Sequence, residues 1–139
     1  MIKYLTILLF IGLALTNDNL NHINELKWKN RVLVIVNDRK YDFSKNIILF
    51  KKEIDERDFI IIYLKGENSL INEKKMSKSF SKSILRKIKG INNNHSLFLI
   101  GKDGLVKKSY PFKINLEKIF SDVDKMPMRK YEMQMRKYK

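Results

Sequence analysis

Val32 to Val36 (Val-Leu-Val-Ile-Val), Phe59 to Leu64 (Phe-Ile-Ile-Ile-Tyr-Leu) and Leu97 to Ile100 (Leu-Phe-Leu-Ile) are short, continuous apolar runs rich in branched and aromatic side chains. Runs of that length read as strands covered on both faces. Between the first two, Phe43, Ile47, Phe50 and Ile54 recur at steps of 4, 3 and 4. That spacing predicts one helix over 43–56, with Asp42 or Ser44 as its cap. A strand, a helix and a strand in so short a span predict a right-handed crossover and a parallel pair. A second helix is predicted over 77–89, with Phe80, Ile84, Leu85 and Ile88 inward and Gly90 closing it in a left-handed conformation. The polar stretch 65–75 between strand and helix reads as a flexible insertion.

After the third run, Gly101-Lys102-Asp103-Gly104 predicts a tight turn, with 105–110 returning antiparallel up to Pro111. Asn115 is placed to cap a third helix through Leu116, Ile119, Phe120 and Val123, with Ile114 and Ile119 as a staple across its start. Pro127 ends that helix and opens a short last one. At the other end of the chain, Met1-Ile2-Lys3 leads into an apolar run from Tyr4 to Leu15, and polarity returns at Thr16-Asn17-Asp18-Asn19. This is the layout of a secretory signal peptide. Twelve apolar residues are too few for a membrane span, which takes about 20. The predicted organisation is therefore a signal peptide over 1–16, cleaved after Ala14 or Thr16, a linker over 17–27 and one domain over 28–139. The expected location is periplasmic or secreted, with no transmembrane helix in the mature chain.

Strand, helix, strand, helix, strand, hairpin strand, helix is the order of the thioredoxin core. The fold expected is α/β: a thioredoxin-like, three-layer α/β/α arrangement around a mixed sheet of about four strands. The immediate Asp103-Gly104 hairpin argues against a flavodoxin-like parallel sheet, because parallel neighbours need long crossovers. Composition then removes the usual chemistry of that scaffold. The 139 residues contain no cysteine, which excludes disulfides, thiolate metal sites and thiol–disulfide oxidoreductase activity. The cis-proline expected just ahead of the third strand is also missing, since 92–96 reads Asn-Asn-Asn-His-Ser.

Charge changes the picture less than its size suggests. Lys+Arg 29 against Asp+Glu 15 leaves +14, and a basic surface ordinarily raises nucleic acid or anionic membrane as partners. The chain holds 23 lysines and 6 arginines, however, and phosphate-gripping proteins favour the planar fork of arginine. High lysine and isoleucine content reads instead as drift toward AT-rich codons. Nucleic acid is not the expected partner. The stripe Lys78, Lys82, Arg86 and Lys89 keeps a polyanion-binding alternative open.

Four segments carry a resemblance: Trp28-Lys29-Asn30-Arg31-Val32-Leu33; Glu56-Arg57-Asp58 ahead of the second strand; Leu99-Ile100-Gly101-Lys102-Asp103-Gly104 with Val106-Lys107; and Met126-Pro127-Met128-Arg129-Lys130 with Glu132-Met133. Together the chain resembles the bacterial domain of unknown function 4174 family. The resemblance implies an exported, thioredoxin-like domain, similar to domains of secreted animal matrix proteins that carry sushi repeats. It brings no activity, cofactor or catalytic residue. Leu105 stands where that family usually has a second glycine, and Lys130 where it usually has arginine.

Candidate binding residues are Asp38 in the loop after the first strand, Arg57, Lys102 and Asp103 around the turns, and Met128 and Arg129 in the tail. Arg129 is expected to pair with Asp122 or Asp124, Arg57-Asp58 to brace the second strand, and Trp28 to plug the end of the sheet. Met126, Met128, Met133 and Met135 form a soft cluster suited to a partner. His22 and His95 lack a second ligand at metal-binding spacing, and the serines at 77, 79, 81 and 83 lack a base. Tyr41 stands in the loop where thioredoxin relatives do chemistry, with no second feature beside it. No catalytic residue, metal or cofactor is expected. The function expected is a non-catalytic binding or adaptor domain whose partner is a protein or another envelope component; the alternative is a thiol-independent enzyme, for which convergence of Asp38, Arg57 and Lys102 would be the sign.

Overall fold

The computed structural model describes residues 20–36, 43–92, 94–111 and 113–138. Strand β1 (Arg31–Val36) lies at the centre, parallel to β2 (Phe59–Lys65) on one side and antiparallel to β5 (Leu97–Ile100) on the other. Its side chains alternate. Leu33 and Ile35 enter one core with Leu97 and Leu99, while Val32 and Val34 enter a second with Phe98 and Ile100. A strand buried on both faces must be apolar at every position, which is why these runs show no polar alternation.

The sheet holds six strands in the order β4-β3-β2-β1-β5-β6, not about four. The two extra strands, β3 (Asn68–Ile71) and β4 (Lys74–Lys75), come from the stretch expected to be a flexible insertion. Two-residue turns build them. Gly66 takes φ 61 between paired Lys65 and Asn68, and Asn72 and Glu73 take φ 50 and 67 between paired Ile71 and Lys74. The apolar signal was missing because the inward position of β3 is Ser69, fully buried and hydrogen-bonded to Ser81 Oγ at 2.6 Å. A polar residue is stable there because its hydroxyl is satisfied.

Helices cover both faces. On the first core lie α1 (Ser44–Leu49) and α2 (Lys51–Glu56), which replace the single helix expected over 43–56. The break falls at Phe50, whose ψ of 24 leaves the helical range, although its carbonyl still accepts from Ile54 N–H at 3.0 Å. The inward residues hold: Phe43 and Ile54 are buried, and Ile47 and Phe50 pack against them. Ser44 is the first helical residue, and the cap position falls to Phe43, which has no side-chain cap bond; Asp42 lies outside the described residues.

On the second core lies α3 (Lys78–Ile88), whose first turn is capped by Ser77 Oγ accepting from Phe80 N–H at 3.2 Å. Phe80 and Ile84 point inward, and Gly90 follows the helix at φ 81. Lys78, Lys82, Arg86 and Lys89 are exposed. Beside α3, a 3₁₀ turn (Ile23–Leu26) buries Ile23 and Leu26 in the same core. Strand β6 (Val106–Tyr110) returns from β5 through a turn closed by Gly104 N–H to Gly101 O, with Gly104 alone at positive φ. Then α4 (Leu116–Asp124) lays Leu116, Ile119, Phe120 and Val123 into the first core, with Asn115 Oδ1 accepting from Lys118 N–H at 3.0 Å. Pro127 opens α5 (Pro127–Lys137) at its first turn. Among the described residues no helix is long and apolar enough to cross a membrane.

Candidate functional site

The four segments that carry the family resemblance meet at one end of the sheet, where β1 and β2 begin and β5 ends. Arg31 is the first residue of β1 and only 2% exposed. Its guanidinium forks onto Glu132 of α5: Nη1 donates to Oε2 at 3.1 Å and Nη2 to Oε1 at 3.3 Å. Lys102, one turn past β5, donates to the same carboxylate at 2.6 Å and to Asp58 Oδ2 at 2.9 Å. Asp58 itself takes φ 54 at the turn into β2, and its carbonyl accepts from Arg31 N–H at 3.0 Å.

A second carboxylate ties the other half. Arg57 donates from Nε and Nη2 to the two oxygens of Asp124 at 3.0 and 2.8 Å, with its guanidinium 4.8 Å over the Phe120 ring. Arg129, 3% exposed, donates to Asp124 Oδ1 at 3.1 Å and to the Glu56 carbonyl at 3.1 Å. Bidentate pairs of this kind fix orientation as well as charge. Burial alone would raise the pKa values of Glu132 and Asp124. Hydrogen bonds from Lys102 and Arg31 to the first, and from Arg57 and Arg129 to the second, outweigh that and hold both below their ordinary values.

Arg57, Lys102 and Arg129 thus belong to one network, and Arg129 takes Asp124, one of its two expected partners. Asp103 lies apart, paired with Lys107 across the turn and accepting from Leu105 N–H. Asp38 is outside the described residues, so the predicted convergence of Asp38 with Arg57 and Lys102 has no description here. Arg31 and Glu132 were not singled out as site residues. The available signal was that each of the four segments contributes charged residues beside an otherwise apolar element. Among the described residues every buried side-chain nitrogen and oxygen has a partner, and no group of three or more His, Asp or Glu is placed to hold a metal.

This bracing inverts α5. The helix buries Arg129 and half-buries Glu132, while Met128, Tyr131 and Met135 stand on its outer side, Tyr131 at 62% exposure, and Tyr138 just past its end is 87% exposed. The methionines separate accordingly: Met126 packs on the first core, and Met128 and Met135 face out. Trp28 does not plug the sheet. It is 67% exposed, at φ 66, with its N–H donating to Lys102 O at 2.7 Å. The turn at positive φ leaves its indole in solvent.

At the opposite end of the sheet, both ring nitrogens of His95 are hydrogen-bonded. Asn92 Oδ1 accepts from Asn94 N–H at 3.2 Å, which leaves its amide nitrogen 3.1 Å from His95 Nε2. Assigned from these bonds, Nε2 is the acceptor and Nδ1 carries the proton, donating to Ser109 Oγ at 2.6 Å. That tautomer takes no proton from the serine, so the pair lacks the polarity of a nucleophile and its base. The β5–β6 register joins these residues across the sheet, which no local spacing reveals.

A family model described as a domain of unknown function (DUF4174) matches residues 22–132. No curated protein and no solved structure matches the chain.

Proposed function

The chain belongs to the domain of unknown function 4174 family, and from that premise we propose that it is an exported, cysteine-free, thioredoxin-like domain acting as a non-catalytic binding module of the cell envelope. The observation that carries the binding reading is the inverted C-terminal helix. A helix that only completed a core would turn its apolar stripe inward; α5 turns Arg129 and Glu132 inward as braces and leaves Met128, Tyr131 and Met135 exposed, with Tyr138 exposed just past its end. Methionine and tyrosine are adaptable, amphipathic contact residues.

Support for the thioredoxin-like reading is the order β2-β1-β5-β6, with β1 and β2 parallel and β5 and β6 antiparallel to their neighbours, to which β3 and β4 add an edge hairpin. Export rests on the residue pattern over 1–16. The non-catalytic reading rests on the absence of cysteine and on a charge network whose four cations and three carboxylates are engaged with one another.

Two measurements test it. An alkaline phosphatase fused after Asn19 is expected to be active, and inactivity withdraws export. The full chain is expected to be retained by the native envelope fraction, and Tyr131→Ser with Met135→Ser to release it without changing the circular dichroism spectrum. Equal retention of both forms removes the outer face of α5 from the function.

A further inference from the structure

We propose that the end of the molecule carrying Trp28 and the outer face of α5 docks on an anionic phospholipid surface; this rests on the binding reading above and names its partner. Three observations converge. The first is Trp28. Folding holds it at φ 66, a conformation that residues with a side chain rarely take, and the result is an indole delivered to solvent. An indole has an apolar body and one N–H donor, a combination suited to the boundary between lipid and water.

The second is geometry on α5. Met128, Tyr131 and Met135 are separated by 3 and 4 residues and so share one helical face, and Tyr138, exposed, follows as the helix's C-cap. Eleven residues are too short to span a bilayer, but a helix with an apolar stripe and exposed lysines to one side of it can lie in its surface plane. Trp28 stands at the same end: its backbone N–H donates to the carbonyl of Lys102, whose ammonium holds Glu132, the neighbour of Tyr131.

The third is charge. Lys130 and Lys137 are exposed on α5, and Lys27 and Lys29 flank Trp28. Apolar contact alone does not choose between lipid, a protein and a second copy; charge disfavours the second copy, and an exposed indole beside tyrosine favours the lipid boundary. Two copies meeting at this face would bring like charges together, whereas each lysine near an anionic leaflet strengthens attachment. The indole, tyrosines and lysines together match an anionic headgroup region over an acyl boundary.

The chain contains one tryptophan, so its fluorescence reports this end of the molecule alone. The full chain is mixed with vesicles of phosphatidylcholine containing phosphatidylglycerol, and with vesicles of phosphatidylcholine only. Emission from Trp28 is expected to shift to the blue and to become protected from iodide with the anionic vesicles, and to stay as in buffer with the neutral ones. Lys130→Gln with Lys137→Gln is expected to weaken vesicle affinity about tenfold or more, as is Tyr131→Ser with Met135→Ser. The lysine pair is exposed, so it leaves the fold in place. Equal protection by neutral vesicles overturns the proposal, as does co-sedimentation with Trp28 still open to iodide, which means another segment binds. Protection that appears without vesicles as protein concentration rises assigns the face to a second copy and overturns it too. Indifference to both vesicle types, alongside envelope retention that still needs Tyr131 and Met135, overturns the lipid partner and leaves the binding reading standing.

Discussion

Helices α4 and α5 follow one another in the chain, and they attach to the same body by opposite means. α4 inserts Leu116, Ile119, Phe120 and Val123 into the first core and keeps most of its polar side outside. α5 is held through Arg129, bonded to Asp124 and the Glu56 carbonyl, and through Glu132, on which Arg31 and Lys102 converge, with Met128, Tyr131 and Met135 outward. Removing apolar area from water holds α4 without regard to direction, whereas α5 is held by forked, directional bonds. The comparison teaches that an amphipathic pattern locates a helix's apolar face without saying whether that face meets the core or something outside it.

The largest effect is expected where α4 is packed. Ile119→Ala should lower unfolding free energy by about 3 kcal/mol, read from the urea midpoint at unchanged slope, because it leaves a cavity in a fully buried site. Arg31→Met is expected to cost slightly less, about 2–3 kcal/mol, since it strips Glu132 of its forked partner in a buried setting; Glu132→Gln in the same chain should restore part of the loss. A double variant no better than Arg31→Met would mean that the pair does not brace the helix.

Acid should separate the contributions. Burial would raise Asp122, but bonds from Tyr110, Lys118 and Lys108 bring it from 3.8 down to about 2. A carboxylate with its folded pKa below the unfolded value contributes its full stabilisation above the unfolded pKa, and that contribution is lost as pH falls through the folded one. Stability is therefore expected to drop by about 2 kcal/mol on this account between pH ~4 and pH ~2, with Asp124 and Glu132 acting in the same direction. Asp122→Asn should flatten part of that slope in an acid titration followed by circular dichroism. The smallest effect is expected on the outer face of α5, where Tyr131→Ser should change stability by less than about 0.5 kcal/mol. A loss comparable to that of Ile119→Ala would show that the outer face is structural after all.

Much of this arrangement was legible in the residues. The three apolar runs became β1, β2 and β5, Asn115 and Ser77 cap as their positions imply, and Pro127 opens the last helix. Phe50 and Ser69 were less so. A helical apolar spacing persists across the break at Phe50 because both short helices share one buried face, and β3 hides behind a serine whose bond to Ser81 depends on α3 lying beside it. The candidate site divides in the same way: Arg57, Lys102 and Arg129 stood out as charges beside turns, but nothing local paired Arg31 with Glu132, 101 residues away.

By itself the sequence determined the three apolar strands, the helix caps at Ser77 and Asn115, the absence of cysteine and the family, because periodicity, caps and composition are properties of neighbouring residues. Only the tertiary structure decided that Trp28 faces water, that Lys102 reaches Glu132 while Asp103 turns to Lys107, and that α5 presents Met128, Tyr131 and Met135 outward. Each of those outcomes depends on which distant groups satisfy a buried charge first, and that competition is resolved only when the strands have brought the groups within bonding distance.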